Sequence, residues 1–227
     1  MLDVTDSNNE INESGDIYTA RASLVLSLRQ HGIVDPVIMR AFEKTSHEKF
    51  IPDEYKQYAY KDKSLPLGFA QSMFSPVHLA QMIVALEPDI KHKMLEIGTG
   101  SGYSAAVLSR LVKRVFSVEI KKQLAHLSKE NWQKTGTGTV IGFCVDGLLG
   151  LAAHQPFDRI MLSGSVEKVP QILLDQLSEN GILVAPVGKA NEKQIITKIE
   201  RVEDRFITTH FGNIRISALI NKKFYSS

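Results

Sequence analysis

A glycine-rich turn is the part of this sequence with the clearest chemical meaning. Gly98, Gly100 and Gly102 follow an apolar run at residues 93–97 and precede a helical pattern that begins at Tyr103. Glycines between a strand and a helix permit a tight turn and let a ligand approach the main chain. The turn therefore predicts a ligand site at the end of this strand.

Three acidic residues accompany the turn, at the ends of successive predicted strands. Glu96 lies just before the turn, Glu119 ends the second strand, and Asp146, followed by Gly147, ends the third. Open α/β sheets bind their ligands at the carboxyl ends of the strands. We expect Glu119 to accept hydrogen bonds from ribose hydroxyls, and Asp146 and Gly147 to meet an adenine amino group.

The turn differs from the dinucleotide fingerprint, and the difference indicates the ligand. Its spacing is G-x-G-x-G, whereas nicotinamide and flavin sites carry G-x-G-x-x-G and place a pyrophosphate on the helix N-terminus. Tyr103 stands where the last glycine would be, no basic side chain lies in the turn, and Glu96 adds a negative charge. That charge repels a pyrophosphate but suits an ammonium group and a sulfonium. The residues favour S-adenosylmethionine, with a dinucleotide oxidoreductase as the alternative.

Alternating strand and helix patterns position these residues. Five strands are predicted at 93–98, 114–120, 140–146, 157–164 and 181–188. Helices are predicted between them at 103–111, 121–135 and 169–177, and the segments QIITKIE and RFITTHF form a terminal pair of strands. This alternation predicts an α/β fold, a Rossmann-like, doubly wound, mostly parallel sheet with helices on both faces.

The residues before this alternation form a different region. Residues 1–17 are polar and acidic, so we expect a flexible tail and not a secretory signal. Residues 18–90 are predicted to be an N-terminal helical and loop region that covers the active site, and residues 91–227 the cofactor-binding domain. Within the N-terminal region, helices are expected at 18–31, at 36–44 behind an Asp35 cap, and from Pro76.

Composition limits the classes of function. The 227 residues are 43% hydrophobic, which is ordinary for a globular protein. Their net charge is only +2, so no overall electrostatic potential indicates binding to nucleic acid or to a membrane surface. No stretch approaches the roughly 20 apolar residues that span a bilayer. The single cysteine, Cys144, excludes an internal disulfide and a four-cysteine metal site, and is expected to be buried in a strand. We expect a cytoplasmic monomer without a metal, nucleic-acid or membrane partner.

Longer segments resemble the protein-L-isoaspartate O-methyltransferase family. HEKFIPDEYKQYAYKDKSLPLG, from His47 to Gly68, is similar to the characteristic region that this family carries before its cofactor fold. LEIGTGSGYSAAVLSRL resembles the family's glycine motif, and residues 156–188 resemble its fourth and fifth strands with the helix between them. The likeness extends over residues 22–188.

This resemblance implies methyl transfer from S-adenosylmethionine to a carboxylate. The acceptor would be the free α-carboxylate of an L-isoaspartyl residue in a damaged protein or peptide, and the ester would cyclise to a succinimide that hydrolyses partly to normal aspartate. The resemblance also places Gln71, Ser72 and Met73 beside the cofactor. A sulfonium is already an activated leaving group and a carboxylate needs no general base, so positioning and exclusion of water would carry the catalysis.

One position departs from the family pattern. The family carries a serine that is held to be catalytic two residues before the proline that opens the third helix, and Phe74 stands there, before Pro76. A phenyl ring cannot donate a hydrogen bond to the acceptor carboxylate. Ser72 and Ser75 lie close by and are the candidate catalytic hydroxyls. In the alternative interpretation they are turn or helix-cap residues, and Ser75 suits an N-cap.

Two other segments also differ from the family. Ser163-Gly164-Ser165 stands where the family has a Thr-Ala-Ala-like run. From Lys189 onward, a part of the chain that includes the segment NIRISALI, the likeness to the family is loose. Three hypotheses follow: an active isoaspartyl methyltransferase, a methyltransferase of the same fold with another acceptor, or a cofactor-binding relative that lost catalysis with the change at Phe74.

Overall fold

The structure, a computed structural model, describes residues 6–190 and 192–221, with side chains described from Ile17 onward. The helices are α1 (Asp6–Gln30), α2 (Pro36–Glu43), α3 (Pro76–Leu86), α4 (Tyr103–Leu108), α5 (Lys122–Thr135) and α6 (Gln171–Leu174). The strands are β1 (Pro66–Gly68), β2 (Gln71–Ser72), β3 (Lys93–Ile97), β4 (Arg114–Val118), β5 (Val140–Phe143), β6 (Phe157–Leu162), β7 (Leu177–Val187), β8 (Gln194–Val202) and β9 (Arg205–Ile214). Short 3-10 turns lie at His47–Lys49, Asp53–Tyr58, Gly147–Leu149 and Ala152–His154.

A seven-stranded sheet in the order β5-β4-β3-β6-β7-β8-β9 forms the centre of the fold. The strands from β5 to β7 run parallel, and β8 and β9 are added antiparallel. The chain winds outward through β4 and β5 on one side of β3, and through β6 and β7 on the other. The topological switch point therefore lies between β3 and β6, where sheets of this kind bind ligands. The predicted α/β, mostly parallel sheet is confirmed.

The core has two layers, one on each face of the sheet. Neighbouring residues of β3 point to opposite faces: Met94 belongs to the cluster under α1 to α4, and Leu95 to the cluster that includes Leu173 of α6. Both β3 residues are fully buried. Burial on both faces explains why the parallel strands read as continuous apolar runs.

Aromatic packing joins the N-terminal region to the glycine turn. The His47 ring stacks on the Tyr103 ring with centroids 3.9 Å apart, and Phe42 and Phe50 meet the same ring edge-on. Tyr103 is the first residue of α4, directly after Gly102. Burial lowers the pKa of His47 to about 4, so the imidazole is neutral in this core. The extension is thus packed against the helix that follows the predicted ligand turn.

Several element boundaries differ from the sequence-based expectation. α1 begins at Asp6 and not at Tyr18, so the helix includes most of the segment expected as a tail; no proline interrupts residues 6–30. Residues 1–5 lie outside the described part of the chain. α6 is only Gln171–Leu174, because Leu177 pairs with Phe157 as the start of β7.

The third strand of the alternation, β5, ends at Phe143 and not at Asp146. The residue that pairs with Phe143 is Val118, the last residue of β4, so the ladder stops there. Cys144 consequently lies in the following loop and is exposed, which corrects the expectation of a buried strand cysteine. The segment from Ser46 to Phe74 is irregular, with two 3-10 turns and the short β1–β2 hairpin.

No helix among the described residues is long and apolar enough to cross a membrane.

Candidate active site

A cavity that is partly open to solvent lies at the carboxyl ends of β3, β4 and β6. The strand ends, the N-terminal hairpin and the C-terminal segment all contribute to its wall. Its lining includes Gln71, Ser72, Gly98, Gly100, Glu119, Lys121, Gly147, Ser163, Leu219 and Ile220.

The Glu119 carboxylate is fixed at this cavity by two backbone donors. Gly100 N–H donates to its Oε2 at 3.0 Å, and Lys121 N–H donates to its Oε1 at 2.9 Å. A carboxylate has about four acceptor positions, so two remain for a ligand. This arrangement fits the two adjacent hydroxyls of a ribose, the role predicted for Glu119.

Glu96 lies behind the cavity wall and is fully buried. Ser117 Oγ donates to one carboxyl oxygen at 2.6 Å and Ser163 Oγ donates to the other at 3.1 Å. Burial, and to a smaller extent the charge of Glu119, raise the pKa of Glu96 to about 8, against the lowering effect of the two hydroxyl donors. Glu96 is therefore mostly protonated at neutral pH, and it contacts Ser163, which lines the cavity. The negative charge predicted at the ligand comes from Glu119, and direct contact of Glu96 with the cofactor stays a prediction.

The last glycine of the turn packs against α5 and does not line the cavity. Gly102 has a φ of 89°, and a Cβ there would lie 2.6 Å from the indole nitrogen of Trp132. The same indole N–H donates to the Gly102 carbonyl at 2.9 Å. Gly102 therefore shapes the turn through packing, whereas Gly98 and Gly100 line the cavity itself.

Asp146 and Gly147 occupy different positions at the third strand end. Gly147 lines the cavity, and a Cβ there would lie 2.5 Å from the Ile97 side chain. Asp146 caps the 3-10 turn, its Oδ1 accepting from Leu148 N–H at 3.1 Å, and borders a neighbouring groove with Val145 and Leu149. The adenine contact of Asp146 stays a prediction.

The segment that resembles the family's hydroxyl loop divides between the cavity and the core. Gln71 and Ser72 line the cavity, whereas Met73 and Phe74 are buried, 8% and 5% exposed. Ser75 caps α3, its Oγ lying 3.4 Å from His78 N–H and 2.9 Å from His78 Nδ1. The helix-cap interpretation of Ser75 is correct, and Ser72 is the candidate hydroxyl that faces the cavity.

Sequence reasoning missed the contribution of the C-terminal segment. Leu219 and Ile220 line the cavity, and Leu219 N–H donates to Ser165 O at 2.9 Å. Lys121 was also missed, although it follows Glu119 closely; its Nζ lies 5.8 Å from the centre of the Phe69 ring. A local sequence pattern cannot predict that the C-terminal segment reaches the site, because the contact is long-range: Ser72 and Ser217 are separated by 145 positions.

The doubly wound sheet, with a carboxylate at the end of β4 beside the switch point, has a class I methyltransferase fold. The chain matches the family model described as protein-L-isoaspartate(D-aspartate) O-methyltransferase over residues 19–223. It therefore belongs to this family.

Named relatives and solved structures show the same likeness. A protein-L-isoaspartate O-methyltransferase of Maricaulis maris is 38% identical over 87% of this chain and 92% of its own length, and one of Azorhizobium caulinodans is 38% identical over 90% of each. A solved protein-L-isoaspartate O-methyltransferase superposes with a TM-score of 0.79 at 28% identity, covering 87% of this chain and 65% of that longer one. A putative one from Plasmodium falciparum, in complex with S-adenosyl-L-homocysteine, shares the fold, with a TM-score of 0.74 at 20% identity over 87% of this chain and 97% of that one.

Proposed function

We propose that this protein transfers a methyl group from S-adenosylmethionine to the α-carboxylate of L-isoaspartyl residues in damaged proteins and peptides. The observation that carries the proposal is the Glu119 carboxylate, oriented by the amides of Gly100 and Lys121 beside a cavity at the switch point. The family to which the chain belongs, and the names of its relatives, support the same activity.

Each predicted cofactor residue has a place in this proposal. The main chain at Gly98 and Gly100 admits the ligand closely, Glu119 accepts from the ribose hydroxyls, and Gly147, next to Asp146, adjoins the adenine. Of the remaining residues, Gln71 and Ser72 line the same cavity, Met73 and Glu96 are buried, and Gly102 packs against Trp132.

Methyl transfer to a carboxylate needs no general acid or base from the protein. When bound, S-adenosylmethionine supplies a sulfonium methyl: a carboxylate oxygen forms the new C–O bond as the C–S bond breaks, and the electron pair stays on sulfur. The protein's residues bind and orient the two partners and exclude water, which are the terms that dominate such displacements. The hydroxyl that we assign to the acceptor carboxylate is that of Ser72, since Phe74 is buried in the core and Ser75 caps α3.

Phe74 does not by itself favour the other two hypotheses. Its ring is in the core and not in the cavity, so the change removes one hydroxyl without filling the acceptor space. Another acceptor, or a relative without catalysis, becomes the better description only if the peptide assay fails. A monomer in the cytoplasm stays the expected state and compartment.

The test is methyl transfer from labelled S-adenosylmethionine to a short L-isoaspartyl peptide, with the matching L-aspartyl peptide as the control. We expect base-labile label on the isoaspartyl peptide alone. Binding of the cofactor, measured by calorimetry, without transfer to this peptide would contradict the proposal. Transfer to a different carboxylate would instead identify the second hypothesis as correct.

A further inference from the structure

Two serine hydroxyls from distant parts of the chain meet at the edge of the cavity. The Oγ atoms of Ser72, in β2, and Ser217, after β9, are 3.0 Å apart. Both residues are half-buried. Ser72 lines the cavity together with Leu219 and Ile220, which follow Ser217 closely in the chain. The N-terminal hairpin and the C-terminal segment thus meet at this pair.

Main-chain hydrogen bonds hold Ser217 in place. Ser165 N–H donates to Ser217 O at 3.0 Å, and Leu219 N–H donates to Ser165 O at 2.9 Å. A Cβ at Gly164 would lie 3.0 Å from Ser217 O and 2.9 Å from the Leu219 side chain, so the two segments approach each other closely at this glycine. The Ser217 hydroxyl is therefore presented from a fixed backbone.

A third hydroxyl adjoins this backbone bridge. Ser165 Oγ is buried and has no hydrogen-bond partner among the described residues. Buried hydroxyls are normally paired. A buried hydroxyl without a partner among the described residues therefore lies beside the main chain that holds Ser217.

The Ser72–Ser217 pair retains a hydrogen-bond donor. Each serine has one O–H, and one of the two is used between the partners. Among the described residues neither Oγ makes a further hydrogen bond, so the other O–H can be donated to a ligand. A donor in such a chain is polarised by its neighbour, and a carboxylate is the acceptor that gains most from it. Ser75 differs, because its hydroxyl is engaged with His78 at the start of α3.

We propose that Ser72 and Ser217 together bind the α-carboxylate of the acceptor, and that Ser217 is a substrate-binding residue. This inference rests on the proposed function and identifies where its acceptor group is held. The pair replaces, from two separate segments, the single hydroxyl that Phe74 lacks.

Isosteric variants separate the hydroxyl from the shape of the side chain. Ser217→Val is expected to lower kcat/KM for an L-isoaspartyl peptide about 10- to 100-fold, the effect of losing a hydrogen bond to a charged group. Threonine has the same shape as valine but keeps the hydroxyl, so Ser217→Thr is expected to retain most of the wild-type kcat/KM. The same contrast is expected between Ser72→Val and Ser72→Thr, and the double valine variant is expected to lose little more than the worse single variant, because the pair acts as a unit.

Two further measurements exclude a general disturbance of the fold. The affinity of Ser217→Val for S-adenosylmethionine, measured by calorimetry, is expected to equal that of the wild type. Ser109→Val is the matched control, since Ser109 Oγ donates to Ala106 O at the far end of α4, and it is expected to keep the wild-type kcat/KM.

The outcomes that overturn the inference are distinct from those that overturn the function. If the wild type methylates the isoaspartyl peptide and Ser217→Val does so equally well, the pair does not bind the carboxylate, while the function stands. Equal losses in Ser217→Val and Ser217→Thr assign Ser217 to packing and also overturn the inference. If the wild type binds the cofactor but transfers no methyl group to the peptide, both proposals fail together.

Discussion

The backbone N–H of Gly100 donates to Glu119 Oε2 at 3.0 Å, joining the turn after β3 to the end of β4. The predicted glycine motif and the predicted ribose acid are thus parts of one structure. The second carboxylate oxygen accepts from Lys121 N–H, so the side chain cannot rotate freely. A preorganised acceptor of this kind loses little conformational entropy when a ligand binds.

Replacing Glu119 by glutamine is expected to weaken S-adenosylmethionine binding. The variant keeps the size of the side chain but removes the charge, and loss of a charge-assisted hydrogen bond corresponds to roughly a tenfold or greater rise in Kd. Calorimetric titration measures the change. Glu130→Gln is the control, because Glu130 lies on α5 and pairs with His126 and Lys134. Equal affinities of Glu119→Gln and the wild type would refute the assignment of the ribose site.

Asp146→Ala provides a separate test of the adenine side of the site. Asp146 is one position from the cavity-lining Gly147, and its Oδ1 holds the turn that follows. We expect weaker cofactor binding, of about tenfold, from the lost cap together with the lost adenine contact. If calorimetry gives the same S-adenosylmethionine affinity for the variant and the wild type, Asp146 does not contribute to cofactor binding.

Local patterns predicted the parts of the fold that depend on local forces. The Asp35 and Ser75 caps, the glycine turn and the apolar β3, β4 and β6 all follow from residues within a few positions of one another. The end of β5 and the shortness of α6 were missed, because each is decided by pairing with a distant strand. The raised pKa of Glu96 was missed for a related reason: it depends on burial by residues far away in the sequence.

Restoring a serine at position 74 is expected to destabilise the protein without raising its rate. Phe74 is 5% exposed and packs in the main core, so Phe74→Ser leaves a cavity and costs about 3–5 kcal/mol, as large-to-small aromatic substitutions do. Phe74→Leu is the control and is expected to cost less than about 1.5 kcal/mol. Urea unfolding gives the free energies, and the peptide assay gives kcat/KM. A rise in kcat/KM for Phe74→Ser would place this position at the reacting centre and would contradict the packing described above.

Two glycine variants separate backbone strain from packing in the cofactor turn. Gly102 and Gly136 both have positive φ values, 89° and 67°, but a Cβ at Gly136 meets nothing within 4 Å, whereas one at Gly102 would lie 2.6 Å from Trp132 Nε1. Gly136→Ala is therefore expected to cost about 1–2 kcal/mol, the strain of the left-handed conformation alone. Gly102→Ala is expected to cost at least about 1 kcal/mol more, since the buried indole has to move. Denaturant unfolding of both variants measures the difference, and equal losses would show that Trp132 yields without cost.

The buried carboxyl of Glu96 makes stability depend on pH in a defined window. Its pKa rises from 4.5 to about 8 on folding, so between these values the folded protein binds more protons than the unfolded chain. Stability then falls as pH rises through the window, with a slope of at most about 1.4 kcal/mol per pH unit from this group. Glu96→Gln removes the titration, and its amide can still pair with Ser117 and Ser163, because their hydroxyls rotate.

The free energy of unfolding of Glu96→Gln, relative to the wild type, is therefore expected to increase steadily from about pH 5 to about pH 8. Urea unfolding at several pH values measures this difference, and because all other titrating groups are shared, their contributions cancel. A difference that stays constant across the window would mean that Glu96 is ionised in the folded state. In that case a second negative charge would lie behind the cavity wall, and the attraction of the site for a sulfonium would come from Glu96 as well as from Glu119.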